Sequence, residues 1–245
     1  MPELGKEQNP HVYYVNAIKQ STYRAILSDE ALAVLEEIAC DEEYAGSGDA
    51  HMLSLLATLI HACQMTKVAQ IGTWIGFSTV VMAGALARVE SANKPTLLTV
   101  DPAIPELEKA KKYVRRAGLH DYVQFLAGSS LDPMVQEAIR KSGPYDMAFI
   151  DSQHDYDVCS VELRAVWPAV KEGGILAAHD SSNFAAGYDT KQQGGVVRAI
   201  TEWIDEEGIG QSLFLTPPLW NPVGLFIAFK IPQSEVPLKG SIGVP

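Results

Sequence analysis

Two short stretches hold the residue types that could carry chemistry. "FIDSQHDY" contains Asp151 and His154, and "LAAHDSSN" contains His179, Asp180, Ser181 and Asn183. Paired carboxylates with imidazoles nearby can move protons or hold a divalent cation. Two carboxylates with hydroxyl and water oxygens suit Mg²⁺ or Ca²⁺, whereas recruiting His179 would favour Mn²⁺, Fe²⁺ or Zn²⁺. The alternatives are structural: Asp180 and Ser182 could organise a turn, His179 could bond backbone, and His154 could orient an aspartate. A third stretch, "QIGTWIGFST", has glycines at Gly72 and Gly76 and reads as a ligand-binding turn.

The elements that must position these groups are legible from apolar pattern. Short runs, "KVAQI", "TLLTV", "VQFLA", "DMAFI" and "GILAA", are apolar on both faces, as strands buried in a parallel sheet must be. Between them lie helical stretches predicted at 77–89, 105–117, 132–141 and 157–171, with Gly118 placed to end one and Asp132-Pro133 to start another. A helix at 195–207 precedes "QSLFL" and "GLFIAFK", a final antiparallel pair at one sheet edge. Upstream, "SDEALAVLEEIAC" and "GDAHMLSLLATLIHAC" have helical apolar spacing, and Ser28 is a candidate N-cap. The alternation predicts a Rossmann-like, doubly wound α/β fold: a mostly parallel seven-stranded sheet, an antiparallel last strand and extra N-terminal helices. The expected layout is a helical extension over 1–47 and a catalytic domain over 48–245, one domain overall.

In such a sheet ligands bind beyond the carboxyl ends of the strands, so Gln70 to Ser78, Asp101, Ser129, Asp151 and Asp180 should share a crevice. The dinucleotide fingerprint needs glycine where Trp74 and Phe77 stand. The phosphate loop needs glycine at 77 and lysine at 78, so both phosphate readings fail. What remains is a G-x-x-x-G turn and Ser78 at a helix N-terminus, able to hold a small carboxylate, with Asp101 placed to accept a ribose's hydroxyls. A ligand with ribose, no phosphate and an amino-acid end is S-adenosylmethionine. The glycines could also serve only a tight turn, and Asp101-Pro102 only a helix start.

With "LLTVDP", "VQFLAGSSLD", "YDMAFIDSQHDY" and "GGILAAHDSSN" following in order, the chain resembles the class I S-adenosylmethionine-dependent methyltransferases. Within them it is similar to the small O-methyltransferases of the catechol O-methyltransferase and antibiotic-pathway type. The resemblance covers roughly residues 48–180. It implies that Gly72, Thr73, Trp74, Gly76 and Ser78 surround the methionyl part, that Asp101 holds the ribose, and that Ser129 or Ser130 approaches the adenine. Gln70 stands where the family has an acidic residue, so Asp151 must supply a charge for the ligand's ammonium or affinity suffers. It also implies Mg²⁺ ligated at Asp151, Asp180 and Ser181, with His154 at the position of a lysine base. Antibiotic-pathway relatives place an acidic ligand at the position of His179, making His179 a further ligand or catalytic candidate.

The expected activity is methyl transfer to a hydroxyl of a phenol, sugar or natural-product intermediate. The alternatives are an N-methyltransferase and a noncatalytic cofactor-binding or assembly protein of the same fold. The long segment 181–195 reads as a lid or specificity loop or as disorder. Tyr188, Trp220, Tyr13 and Tyr14 could wall an acceptor pocket or simply pack.

The 245 residues carry 19 Lys+Arg against 30 Asp+Glu, a net charge of -11 that disfavours nucleic acid and anionic lipid as partners. No apolar run nears the roughly 20 residues of a membrane span and no secretion signal opens the chain, so a cytoplasmic enzyme is expected. Cys40, Cys63 and Cys159 lack metal-type spacing and read as reduced thiols. Surface left on the N-terminal helices and C-terminal hairpin suggests a homodimer or larger homo-oligomer.

Overall fold

The computed structural model describes residues 18, 22–41, 50–216 and 222–232. Tyr13, Tyr14 and Trp220 lie outside the described residues. Among those residues the strands are β1 (Lys67–Ile71), β2 (Thr96–Asp101), β3 (Val123–Ala127), β4 (Tyr145–Ile150), β5 (Val170–His179), β6 (Ser212–Leu215) and β7 (Leu225–Phe229). They form one sheet in the order β3-β2-β1-β4-β5-β7-β6. The first five pair in parallel, and β7 runs antiparallel between β5 and β6.

The two-sided apolar runs of β1, β2, β4 and β5 have a direct structural counterpart, whereas β3 stands at the sheet edge and is buried only at Val123. Side chains alternate across a strand, so Val68, Leu97, Met147, Phe149, Ile175 and Ala177 enter one core cluster. Their neighbours Ala69, Leu98, Ala148, Ile150, Leu176 and Ala178 enter another. Helices α1 (Thr22–Ile26), α2 (Asp29–Ala39), α3 (Ala50–Ala62), α4 (Phe77–Leu86) and α5 (Ile104–Arg116) contribute to the first cluster. Helices α6 (Pro133–Ser142), α7 (Tyr156–Val166) and α8 (Gly195–Glu207) contribute to the second. The N-terminal helices thus share a core with the sheet: Tyr23, Leu35 and Leu53 lie in the same cluster as Val68.

Local signals end the elements where expected. Ser28 Oγ accepts from the Ala31 amide at the start of α2, and Asp132 Oδ1 accepts from the Met134 amide with Pro133 opening α6. Gly118 follows the end of α5 with φ +71°, the left-handed cap that glycine favours. One boundary moves: β5 begins at Val170, upstream of the predicted run, because a 3-10 turn at Trp167–Ala169 already ends α7. Gly173 at φ +75° then lets the strand bend while its amide bonds Lys230 O. No helix among the described residues is long and apolar enough to cross a membrane.

Candidate functional site

The G-x-x-x-G turn joins β1 to α4 and needs both glycines. Gly72 has φ +93°, and a Cβ there would sit 1.9 Å from the Asp151 carbonyl oxygen. Gly76 has φ +94°, and a Cβ there would come 2.8 Å from Ala110 Cβ on α5. Trp74 between them keeps φ +48°, an uncommon conformation for a bulky residue, with its side chain exposed. Asp101 at the end of β2 holds this turn: its Oδ2 accepts from the Thr73 and Trp74 amides, both at 2.8 Å, and its Oδ1 from the Ala103 amide.

Gln70 is occupied beneath the turn. Its Nε2 donates to Gly72 O and to Ser78 Oγ, both at 2.7 Å, and its Oε1 accepts from Thr79 Oγ1. Fully buried and with both amide hydrogens engaged, it braces the turn from behind and does not line the cleft. Gly76 is likewise absent from the wall.

The cleft in front of the turn has a volume of about 400 Å³. Its wall includes Gly72, Thr73, Trp74, Ser78, Asp101, Ser129, Ser130, Asp151 and His154, so the carboxyl ends of β1, β2, β3 and β4 converge there. Ser152, Gln153, Val158 and Glu162 also line it and were not singled out from sequence. Glu162 did carry a signal: it is a carboxylate on the face of α7 that also bears Val158, Cys159, Leu163 and Val166, all buried.

Asp151 and His154 in the cleft wall join Asp180 and His179, which lie behind the lining, in a charged chain. His154 Nε2 lies 2.9 Å from Asp180 Oδ2. His179 Nδ1 lies 3.1 Å from the same oxygen and 3.4 Å from Asp151 Oδ1. The Asp180 hydrogen bond raises the His154 pKa against the opposing effect of burial. Burial alone would lower that of His179, but Asp151 and Asp180 outweigh it and hold the imidazole well above its usual range. Burial would raise the Asp180 carboxyl, yet both histidines hold it well below.

Asp151, His154 and Asp180 each offer a ligand atom, all within 4.8 Å of one another. This donor set fits a divalent cation: two hard carboxylate oxygens suit Mg²⁺, and an imidazole extends the range to Mn²⁺ or Fe²⁺. Of the sequence candidates, His179 is a buried countercharge to both aspartates. Ser181 Oγ is buried without a hydrogen-bond partner and sits 3.2 Å from where a Gly224 Cβ would be.

Residues 181–195 are fastened over this end. Asp189 accepts the amides of Lys191, Gln193 and Gly195. Buried Asp155 accepts from the Thr190 amide and hydroxyl. Between these anchors the Tyr188 ring lies 5.5 Å from the His154 ring, tilted by 55°, and Phe184 meets Tyr188 edge-on, both exposed beside the cleft.

Comparison with known proteins agrees with this arrangement. Residues 69–181 match the Methyltransf_24 family, a methyltransferase domain. Catechol O-methyltransferase of Mycobacterium tuberculosis is 28% identical over 203 residues, covering 78% of this chain and 88% of the relative. That of Niastella koreensis is 36% identical over 100 residues, 41% of this chain and 42% of the relative. The O-methyltransferase TomG from Streptomyces achromogenes, solved in complex with SAM, superposes with a TM-score of 0.66 at 18% identity, covering 92% of this chain and all of TomG. An O-methyltransferase from Bacillus cereus in complex with SAH gives 0.66 at 19%, covering 90% of this chain and all of that one. The sheet order is that of the class I methyltransferase fold, residues 69–181 form a methyltransferase domain, and with these relatives the chain is assigned as an S-adenosylmethionine-dependent methyltransferase.

Proposed function

We propose that the enzyme transfers a methyl group to a hydroxyl of a small acceptor such as a catechol-like phenol, assisted by a divalent cation. The carrying observation is the convergence of Asp151, His154 and Asp180, the first two of which line the cleft. The names of the curated relatives support transfer to oxygen.

In this reading the methyl donor lies along the wall. The Gly72–Ser78 turn would hold its amino-acid end, Asp101 its ribose, and Ser129 and Ser130 its purine. Asp101 has three amides on its carboxylate already, so it contributes to the ribose mainly through a remaining lone pair and by shaping the turn. Because Gln70 faces away, Asp151, whose backbone meets Gly72, is the wall carboxylate placed to balance the donor's ammonium.

Asp151 and Asp180 would hold the ion, which when bound lowers the pKa of an acceptor hydroxyl. His154, hydrogen-bonded to Asp180 and open to the cleft, takes the hydroxyl proton. The acceptor oxygen then bonds to the methyl carbon as the sulfur–carbon bond breaks, in line. Tyr188 and Phe184 confine the acceptor beside His154, so positioning contributes alongside proton transfer. The test is product formation from a panel of catechols, sugars and amines, with and without Mg²⁺ after chelation. Methylated oxygen and loss on chelation are expected; methylation of amines alone, or full activity without metal, would sink the reading.

A further inference from the structure

Glu162 is a carboxyl side chain in the cleft wall, only 1% exposed, for which the transfer chemistry has no use. It stands on α7 between two loops that reach the cleft from different strands. Ser130, after β3, places its Oγ 2.5 Å from Glu162 Oε1. Ser152, after β4, places its Oγ 2.7 Å from Oε1 and 2.6 Å from Oε2.

The hydrogen count in this cluster has a consequence for ligands. An ionised carboxylate only accepts, and a serine hydroxyl has a single hydrogen to give. With Glu162 ionised, both serines spend their hydrogens on it, and Ser130 meets the cleft with lone pairs alone. Neighbouring Ser129 Oγ accepts from the Leu131 amide and keeps its own hydrogen, so the restriction to lone pairs concerns Ser130.

We infer that Glu162 is a specificity-determining residue: by taking the Ser130 hydrogen it makes that serine an acceptor, which selects a purine bearing an exocyclic amine over one bearing a carbonyl there. This rests on the placement of the purine beside Ser129 and Ser130 proposed above. Adenine offers the amine as a donor. Hypoxanthine puts a carbonyl at the same place and would set acceptor against acceptor, an unpaired arrangement that is costly in a buried site. With glutamine at 162 the polarity can reverse, because an amide N–H can donate to the serine oxygen and release the hydroxyl hydrogen toward the cleft.

The test is calorimetric titration of the full chain with S-adenosylhomocysteine and with S-inosylhomocysteine. It is run at pH 8.5, above the value of about 7 to which burial raises Glu162. Wild type should prefer the adenosyl ligand by at least about tenfold. E162Q should lose most of that preference through tighter inosyl binding, and S130A should lose it through weaker adenosyl binding. S130A keeps the hydrogen bonds from Ser152 to Glu162 and remains informative if E162Q does not fold. If Glu162 merely ties two loops together, both ligands weaken alike and the ratio stays at its wild-type value, which overturns the inference alone. No binding of S-adenosylhomocysteine to folded wild type would overturn the placement of the cofactor as well.

Discussion

Gly72 and Asp151 are in backbone contact: a Cβ on the glycine would lie 1.9 Å from the aspartate's carbonyl oxygen. The turn proposed to hold the cofactor and the strand end bearing the acid are thus seated on each other without an intervening side chain. Gly72→Ala must push β1 and β4 apart or abandon φ +93°. Expected are a loss of roughly 3 kcal/mol or more in stability and of S-adenosylhomocysteine binding, read by denaturant unfolding and calorimetry. Wild-type values for both would refute the contact.

Gln70→Glu restores the acidic type seen in the resembling family, yet the position is sealed beneath the turn. The new carboxylate would face Gly72 O, which now accepts a hydrogen bond from the amide. A loss of about 2–4 kcal/mol is expected with no gain in ligand affinity. Tighter binding of S-adenosylhomocysteine by this variant would show that the side chain reaches the cleft after all.

Asp180 has φ +57°, a backbone conformation that asparagine tolerates better than alanine. Asp180→Asn should fold, keep an acceptor for His154 and remove the charge that both histidines share. Methyl transfer should fall by roughly 10²–10⁴, the range of a lost proton-transfer or metal-binding group. Product formation within a fewfold of wild type would remove Asp180 from the mechanism.

Burial raises the Glu162 pKa from 4.5 to about 7, the serine hydrogen bonds opposing that rise. The folded state therefore holds a proton that the unfolded chain releases near 4.5. The resulting stabilisation is complete below that pH and fades as pH climbs toward 7, by up to ~3 kcal/mol. Glu162→Gln removes this contribution. The difference in unfolding free energy between wild type and variant should slope between pH 5 and 7 and flatten above; a flat difference throughout would mean that Glu162 titrates normally.

Much of the fold was legible because it rests on local or periodic signals. Runs apolar on both faces can exist only where helices cover both sides of a sheet, and Val68 and Ala69 do enter opposite cores. Ser28, Asp132 and Gly118 announced helix ends through hydrogen bonds or dihedrals confined to a few residues. The convergence of Asp151, His154 and Asp180 followed from strand ends that a parallel sheet must bring side by side.

Side-chain direction was decided only by the tertiary structure. Gln70 and Ser78 flank a turn that looked ligand-facing, but the packing of α4 on β1 points the amide inward to Ser78 and Thr79. His154, at the position of a base, and His179, a further ligand or catalytic candidate, were both open from sequence; the sheet buries the second and leaves the first in the cleft wall. Glu162 gains its partners from Ser130 and Ser152, residues on separate loops that meet only after two crossovers have closed. The amino-acid sequence by itself determined which strand ends meet, because periodicity and turn chemistry act over a few residues. Which side chain faces ligand, and which faces protein, was settled by contacts between segments distant in the chain, where burial lets each polar atom keep only the partners that packing brings to it.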